Sequence, residues 1–129
     1  MSRSIVEYLG IKKEKGVVKT VGKLDMRTGS TAVMMLRLLA EKPMYGYQIV
    51  KELQKRSEGY FDLEQGTLYP ALHRLEKDGL VRSQWEVIAD GPSRKYYYIT
   101  EQGQVELEKS ARQWSDFSRH LLKLLDGLA

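Results

Sequence analysis

The sequence predicts a mainly α-helical fold with one β-hairpin and a long C-terminal helix. Three observations support this prediction. Apolar residues recur at helical spacing in three segments before Gly79, residues 80–99 alternate with a period of two around a turn, and a long amphipathic segment follows Thr100. Two helices joined by a loop and followed by a two-stranded ribbon form a winged helix-turn-helix, in which the ribbon is the β-hairpin wing.

Capping and breaking residues delimit the first two helices. Ser30 or Thr31 carries the side-chain oxygen that an N-cap needs, and Pro43 ends the apolar repeat that follows. The second helix is predicted from Gly46 to Arg56, because its apolar residues lie on one side at helical spacing and its lysines on the other.

The third helix is predicted to begin near Gly66 and Thr67. Pro70 can occupy its first turn, where the missing N–H of proline costs nothing. Gly79 is expected to end the helix, because a residue in the left-handed conformation commonly follows a helix and glycine adopts that conformation readily.

The hairpin and the last helix come after Gly79 in the chain. Residues 80–89 and 95–99 are the predicted strands, and residues 90–93 have the Asp-Gly-Pro-Ser composition of a turn. Thr100 is expected to cap a helix that continues to about Leu125.

The positive charge of the chain is concentrated at its N-terminus. Residues 1–27 hold seven of the 21 lysines and arginines but three of the 17 acids, which accounts for the whole net charge of +4. We therefore predict a basic N-terminal extension over residues 1–29, followed by the winged helix-turn-helix domain over 30–100 and the last helix over 101–129. The extension is interpreted either as a solvated tail or as an arm that binds a partner.

The outer side of the third helix carries a strip of hydrogen-bond donors. A helix that enters the major groove needs such donors near its N-terminal half, and Thr67, Tyr69, His73 and Arg74 supply them. An arginine can pair with guanine or hold a phosphate. The amides near Gly66 and Thr67 can also bind a phosphate at the positive end of the helix dipole.

A second basic element lies at the end of the hairpin, where Arg94 and Lys95 follow the turn. A basic loop on a stiff ribbon can contact the DNA backbone or enter the minor groove. The alternative is a winged-helix module that binds other proteins without specific DNA binding. The convergence of Arg94 and Lys95 with His73 and Arg74 favours nucleic acid.

Four sequence blocks in this region resemble the PadR family of bacterial transcriptional regulators. The blocks are YGYQI at 45–49, GTLYPALHRLE at 66–76, GLV at 79–81 and RKYYYIT at 94–100. The resemblance covers residues 30–125 and is to the compact branch of the family, from which the long N-terminal extension departs.

The resemblance implies a homodimeric repressor or regulator that binds double-stranded DNA at a palindromic operator. Carried over by position, the family's DNA-contacting surface falls on eleven residues of the second helix, the third helix and the wing. They are Tyr47, Lys51, Gly66, Thr67, Tyr69, Pro70, His73, Arg74, Ser93, Arg94 and Lys95. Tyr96 and Tyr97 are expected to brace the wing.

The last helix carries an apolar stripe longer than a small domain can cover, so we expect a partner helix from a second copy. The predicted dimer interface consists of Leu107, Ala111, Trp114, Phe117, Leu121, Leu124 and Leu125. The resemblance implies that this helix pairs with the first helix of the other copy, which would place two recognition helices about 34 Å apart, one turn of DNA.

Two interpretations of Trp114 stay open. In PadR-like proteins an aromatic residue on this helix can line a cavity for flat aromatic effectors, and here Phe117 with Met34 or Met35 would complete such a site. Alternatively, Trp114 packs in the dimer core, which is the commoner role of an aromatic residue at helical spacing.

The sequence carries no recognisable catalytic or cofactor motif. It has no cysteine, and its two histidines lack metal-ligand spacing. It contains neither GxGxxG nor GxxxxGK[ST]. We therefore predict a protein with no metal, no cofactor and no enzymatic activity. Without a long apolar run or a signal peptide, it is expected to be cytoplasmic with no membrane partner.

Overall fold

The computed structural model describes residues 11–14, 17–20 and 26–128. The elements in chain order are β1 (Ile11–Glu14), β2 (Val17–Thr20), α1 (Met26–Glu41), β3 (Met44–Tyr45), α2 (Gly46–Arg56), α3 (Gln65–Lys77), β4 (Val81–Glu86), β5 (Arg94–Ile99) and α4 (Glu101–Leu125). The predicted mainly α-helical fold with a β-hairpin wing is confirmed.

The N-terminal part of the chain contains structure that the sequence reading missed. β1 and β2 form an antiparallel hairpin, with Ile11 opposite Thr20 and Glu14 opposite Val17. The first helix begins at Met26 rather than at Ser30 or Thr31, so the predicted N-cap is wrong. Ser30 and Thr31 lie inside the helix, where Thr31 is buried. An N-cap hydroxyl contributes about 1 kcal/mol to helix stability, which the burial of a helix face can outweigh.

Helix α2 has the predicted bounds, whereas α3 begins one residue earlier than expected, at Gln65. Pro70 is consequently the sixth residue of α3 and lies beyond the first turn, which corrects its predicted position. As a proline it cannot donate to the carbonyl of Gly66. Gly79 ends the helix with φ of +78°, as predicted, and Leu80 N donates to Leu75 O at 2.9 Å across the end.

The wing is part of a three-stranded antiparallel sheet in the order β3–β5–β4. The short strand β3 pairs Met44 with Tyr97, and this pairing attaches the wing to the start of α2. Strand β4 ends at Glu86, three residues before its predicted end. The turn that follows places Asp90 at φ of +64°, and Gly91 N donates to Ile88 O at 3.0 Å.

A single hydrophobic core joins α1, α2, α3 and the sheet. The buried side chains come from every one of these elements and from the first turns of α4. They are Met35, Leu36, Leu38, Leu39, Met44, Ile49, Leu53, Leu68, Leu72, Leu75, Val81, Tyr97 and Leu107. The burial of Leu68, Leu72 and Leu75 fixes one side of α3 in the core, and its other side is therefore held toward solvent.

An ion-pair network joins the end of α1 to α2. Arg56 donates two hydrogen bonds to the Glu41 carboxylate, at 2.5 and 2.6 Å, and a third to Glu52 at 2.9 Å. The hydrogen bond from Arg56 holds the pKa of Glu41 below its ordinary value. This bidentate geometry orients the two helices relative to each other.

Thr100 joins the end of β5 to α4. Its Oγ1 accepts a hydrogen bond from Gly103 N at 3.0 Å, which confirms the predicted N-cap, and donates to Gly79 O at 2.7 Å. Thr100 N also donates to Leu80 O at 3.1 Å. The start of α4 is thereby attached to the segment that ends α3. Over the residues that the model describes, none of the helices combines the length and apolarity needed to cross a bilayer.

Candidate nucleic-acid interface

The predicted donor strip of α3 is exposed. Tyr69, Pro70, His73 and Arg74 all face solvent, while the opposite side of the helix is buried in the core. Thr67 is also exposed, at the N-terminal end of the same strip. The structure therefore brings the predicted contact residues of α3 onto one surface.

Tyr69 packs against the first residue of α2. A Cβ atom at Gly46 would lie 2.6 Å from the Tyr69 hydroxyl oxygen and 2.9 Å from its Cζ atom, closer than side chains tolerate. Gly46 thus provides the space in which the tyrosine ring lies between the two helices. The ring still keeps 46% of its surface exposed. This role of Gly46 depends on a contact between residues distant in sequence, and the pattern of α2 alone does not reveal it.

The amide groups at the start of α3 differ from the sequence prediction. Thr67 N already donates to Glu64 O at 3.0 Å and is committed within the protein. Because the first N–H groups of a helix have no acceptor inside it, the amides of Gln65 and Gly66 are the ones directed outward. Gly66 has open space around it, with no atom within 4 Å of where its Cβ would lie.

On α2, Tyr47 and Lys51 lie one turn apart and are both exposed. The Lys51 ammonium lies 5.4 Å from the centre of the Tyr47 ring, within the range of a cation–π contact. The aromatic ring and the charge therefore form one combined patch beside the strip of α3.

Arg94, at the base of the wing, is held by Tyr45. Its guanidinium stacks on the tyrosine ring, 4.5 Å from the ring centre, and Nη1 donates to the hydroxyl oxygen at 2.9 Å. Tyr96 packs edge-on against the same ring at 5.4 Å, as expected of a bracing residue. A guanidinium has five N–H donors, so the bond to Tyr45 sets its orientation and leaves others to face outward. The sequence reading did not include Tyr45 in the site.

The same face of the hairpin carries a second group of contacts. The Tyr98 hydroxyl donates to the Glu86 carboxylate, and the Arg82 guanidinium lies 4.2 Å from the centre of the Tyr98 ring. The hydrogen bond to Glu86 raises the pKa of Tyr98 above its ordinary value. These contacts join β4 to β5 and stiffen the ribbon.

The other face of the hairpin is directed toward α3. Ser83 donates to the Glu76 carboxylate of α3 at 2.5 Å, and Tyr97, opposite Ser83, is buried. Burial raises the pKa of Tyr97, and the nearby Glu76 and Tyr69 add to this effect. Lys95 lies on this face, with its ammonium 5.8 Å from the centre of the Tyr97 ring, whereas Ser93 precedes the strand and is exposed.

The coupling between Arg94 and Tyr45 is open to a double-mutant test. Tyr45→Phe keeps the ring but removes the acceptor, and we expect its cost in the free energy of unfolding, about 1 kcal/mol, to vanish once Arg94 is methionine. Urea unfolding of the four proteins measures this coupling. The control is the same cycle with Lys95→Met, since Lys95 lies on the other face, and its effects should add. If the effects of the two substitutions add in the Arg94 cycle as they do in the Lys95 cycle, Tyr45 does not hold Arg94.

The residues predicted for dimerisation and for a ligand do not share one environment. Leu107 and Met35 are buried in the protomer core, and the full burial of Met35 leaves it no surface with which to line a cavity. Met34 is half-buried. Trp114 and Phe117 are half-buried and meet edge to face at 6.0 Å.

The remaining members of the apolar stripe become more exposed toward the end of α4. Leu121 is half-buried, while Ala111, Leu124 and Leu125 are exposed, with Leu124 at 82%. The face of α4 that covers the protomer core at Leu107 therefore continues beyond that core, and its apolar side chains are only partly covered within the described part of the chain.

Known proteins similar to this chain include transcriptional regulators. The model of the transcriptional regulator PadR-like family matches residues 35–109. The transcriptional regulator Rv3488 of Mycobacterium tuberculosis is 34% identical over 100 residues, which cover 75% of this chain and 90% of that protein. An uncharacterized protein of Lysinibacillus sphaericus is 33% identical over 104 residues, which cover 81% and 95%.

Solved structures of PadR family regulators have a fold similar to that of this chain. A PadR family transcriptional regulator from Eggerthella lenta has a TM-score of 0.69 and 34% identity, over 79% of this chain and 87% of that one. A PadR-like regulator from Bacillus cereus has a TM-score of 0.69 and 30% identity, over 79% and 97%. With more than half of its length matched by the family model, the chain belongs to the PadR-like family of DNA-binding transcriptional regulators.

Proposed function

We propose that this regulator acts as a homodimeric repressor at a palindromic operator. One observation carries the proposal. The donors of α3 are exposed on one side of the helix while its other side is buried in the core, and the positively charged Arg94 and Lys95 of the wing lie beside them. In this arrangement α3 reads base edges in the major groove, and Arg94, Lys95 and Ser93 contact the backbone next to it.

The predicted contacts on α3 and α2 have different parts in this proposal. Arg74 donates to a guanine edge or a phosphate, and His73 and Tyr69 supply further donors on the same strip. Lys51 and Tyr47 contact the backbone on the side of α2. These backbone contacts position the protein, and those to base edges specify the sequence.

The dimer in this proposal forms through the outer half of α4. The apolar residues there, from Trp114 to Leu125, would lose their exposed surface against a second copy, with α1 as the neighbouring element. Two-fold symmetry then places the two α3 helices about 34 Å apart, so that each enters the major groove on the same side of the duplex. A palindromic operator follows from this symmetry.

A flat aromatic effector fits the same proposal. Trp114 and Phe117 present their rings on the dimer side of α4, with Met34 of α1 as the third member of the site. A planar molecule stacked on one of these rings would meet the other ring at its edge, since the two rings are nearly perpendicular. It would alter the angle between the two copies and hence the spacing of the α3 helices.

The test of DNA recognition begins with duplexes that the protein selects from a random-sequence pool. Arg74→Ala should weaken binding to the selected duplex by about 10- to 100-fold and, where Arg74 contacts a phosphate, lower the slope of log K against log salt by about one. Titration of a labelled duplex by fluorescence anisotropy at several salt concentrations measures both quantities.

The matched control is Arg112→Ala, the same change at an exposed arginine of α4 outside the proposed DNA face, which should leave affinity unchanged. Equal affinities of the Arg74→Ala and wild-type proteins would refute the assignment of this face and favour the module that binds other proteins. Repression is tested by placing the selected sequence over a promoter in an in vitro transcription reaction, where added protein should lower the transcript.

A further inference from the structure

We infer that Trp85, on the inner face of the wing, is a DNA-contacting residue whose indole ring rests on a deoxyribose of the backbone next to the phosphate bound by Lys95. The inference rests on the proposed function and extends its contact surface along the wing. It starts from an observation about exposure: 64% of the surface of Trp85 is exposed, although tryptophan is among the residues that proteins usually cover.

The strand register places Trp85 beside a positive charge. Trp85 is paired with Lys95 across β4 and β5, and side chains directly opposite each other in an antiparallel pair share one face of the sheet. The register thus places an exposed apolar ring on the same face as a lysine, whose ammonium lies 5.8 Å from the centre of the Tyr97 ring. A deoxyribose with its adjoining phosphate has the complementary pair of properties.

The same register shows which way this face points. Two residues nearer the core, Ser83 is opposite Tyr97, and Ser83 is hydrogen-bonded to Glu76 of α3. The face that holds Trp85 and Lys95 is therefore the face directed toward α3. Trp85 lies one step further out along the ribbon, about 7 Å beyond Ser83.

Burial along this face decreases in the direction of the proposed DNA. Val81 is 2% exposed, Ser83 is half-buried, and Trp85 is 64% exposed. Protein atoms cover the inner end of the ribbon and leave its outer end exposed, on the face directed toward α3, where the duplex would lie. The surface of Trp85 is thus continuous with the proposed DNA face, and its occupant would be the duplex.

The test uses the full-length wild-type protein, W85F, W85A and the duplex selected from the random pool. The difference between wild type and W85F isolates the emission of Trp85 from that of Trp114, the other tryptophan. Acrylamide, a neutral quencher, should quench Trp85 readily in the free protein and severalfold less in the complex. W85A should bind the duplex about 5- to 10-fold more weakly, with W85F closer to wild type because an aromatic ring remains.

The matched control is Val105→Ala, which truncates another exposed apolar side chain, on α4 outside the proposed DNA face, and its affinity should equal that of wild type. If wild type binds the duplex while Trp85 stays accessible to acrylamide, this inference is overturned and the proposed function stands. If wild type binds no duplex at all, both fail. Protection of Trp85 by raised protein concentration without DNA would assign the face to self-association and also overturn the inference.

Discussion

Replacing Gly103 by alanine is expected to lower the free energy of unfolding by about 3 kcal/mol, because the added methyl group meets the backbone. A Cβ atom at this position would lie 2.1 Å from the carbonyl oxygen of Leu80 and 2.7 Å from Cγ1 of Ile99. Neither the carbonyl nor the packed isoleucine can move away without displacing the start of α4 from the end of α3.

The substitution should also disturb the junction between α3 and α4. Gly103 N donates to Thr100 Oγ1, which in turn donates to Gly79 O, so displacement of α4 disturbs both hydrogen bonds of the junction. Thermal unfolding followed by circular dichroism should show a midpoint lower by roughly 10 °C.

The matched control for this prediction is Gly66→Ala. The site has open space around it and lies in a helix, so the same substitution should leave stability unchanged or raise it by up to about 1 kcal/mol. A Gly103→Ala protein with a wild-type midpoint would show that α4 leaves room for a methyl group beside the carbonyl oxygen of Leu80.

The double variant Leu121→Glu with Leu125→Glu is expected to be monomeric at micromolar concentration. The two residues lie one turn apart on the stripe of α4 that faces the proposed second copy, and Leu125 is 46% exposed in the protomer. Two pairs of like charges in an apolar interface would remain unpaired there, whereas on the surface of a monomer they are solvated. Sedimentation equilibrium measures the change.

Loss of the dimer should also weaken operator binding by roughly 100-fold, because the two α3 helices then bind their half-sites independently. The control is Val105→Glu, a change of the same kind on an exposed residue of α4 that lies outside the stripe. It should preserve both the dimer and the affinity. A double variant that sediments as a dimer would exclude the outer half of α4 as the interface.

Local signals predicted most of the elements. Gly79 ends α3 with a positive φ, Thr100 caps α4 through its own side chain, and α2 begins and ends at the predicted residues. Each of these features depends on interactions within a few residues of the chain, which a sequence pattern records directly. The motif blocks that resemble the PadR-like family lie in the same region, so the family was also predictable.

Errors occurred where packing outweighs local preference. The hydroxyl residues Ser30 and Thr31 look like caps but lie inside α1, and Pro70 lies one turn further into α3 than expected. An N-cap contributes about 1 kcal/mol and a proline inside a helix costs about 3 kcal/mol, while each large apolar side chain that a helix face buries contributes about 2 kcal/mol. Helix bounds are therefore settled by the faces that the core buries.

The sequence was sufficient to identify the winged helix-turn-helix and the donors of α3, because helical and strand periodicities are properties of neighbouring residues. The family was identified by the resemblance of four motif blocks, at residues 45–49, 66–76, 79–81 and 94–100. Only tertiary structure shows that Tyr45 holds Arg94, 49 positions away, and that Trp85 stands exposed on the face directed toward α3. These properties arise where distant segments meet. The close approach at Gly103 and the tyrosine ring over Gly46 have the same origin, since a glycine in a sequence does not indicate which neighbour occupies the space its missing side chain leaves.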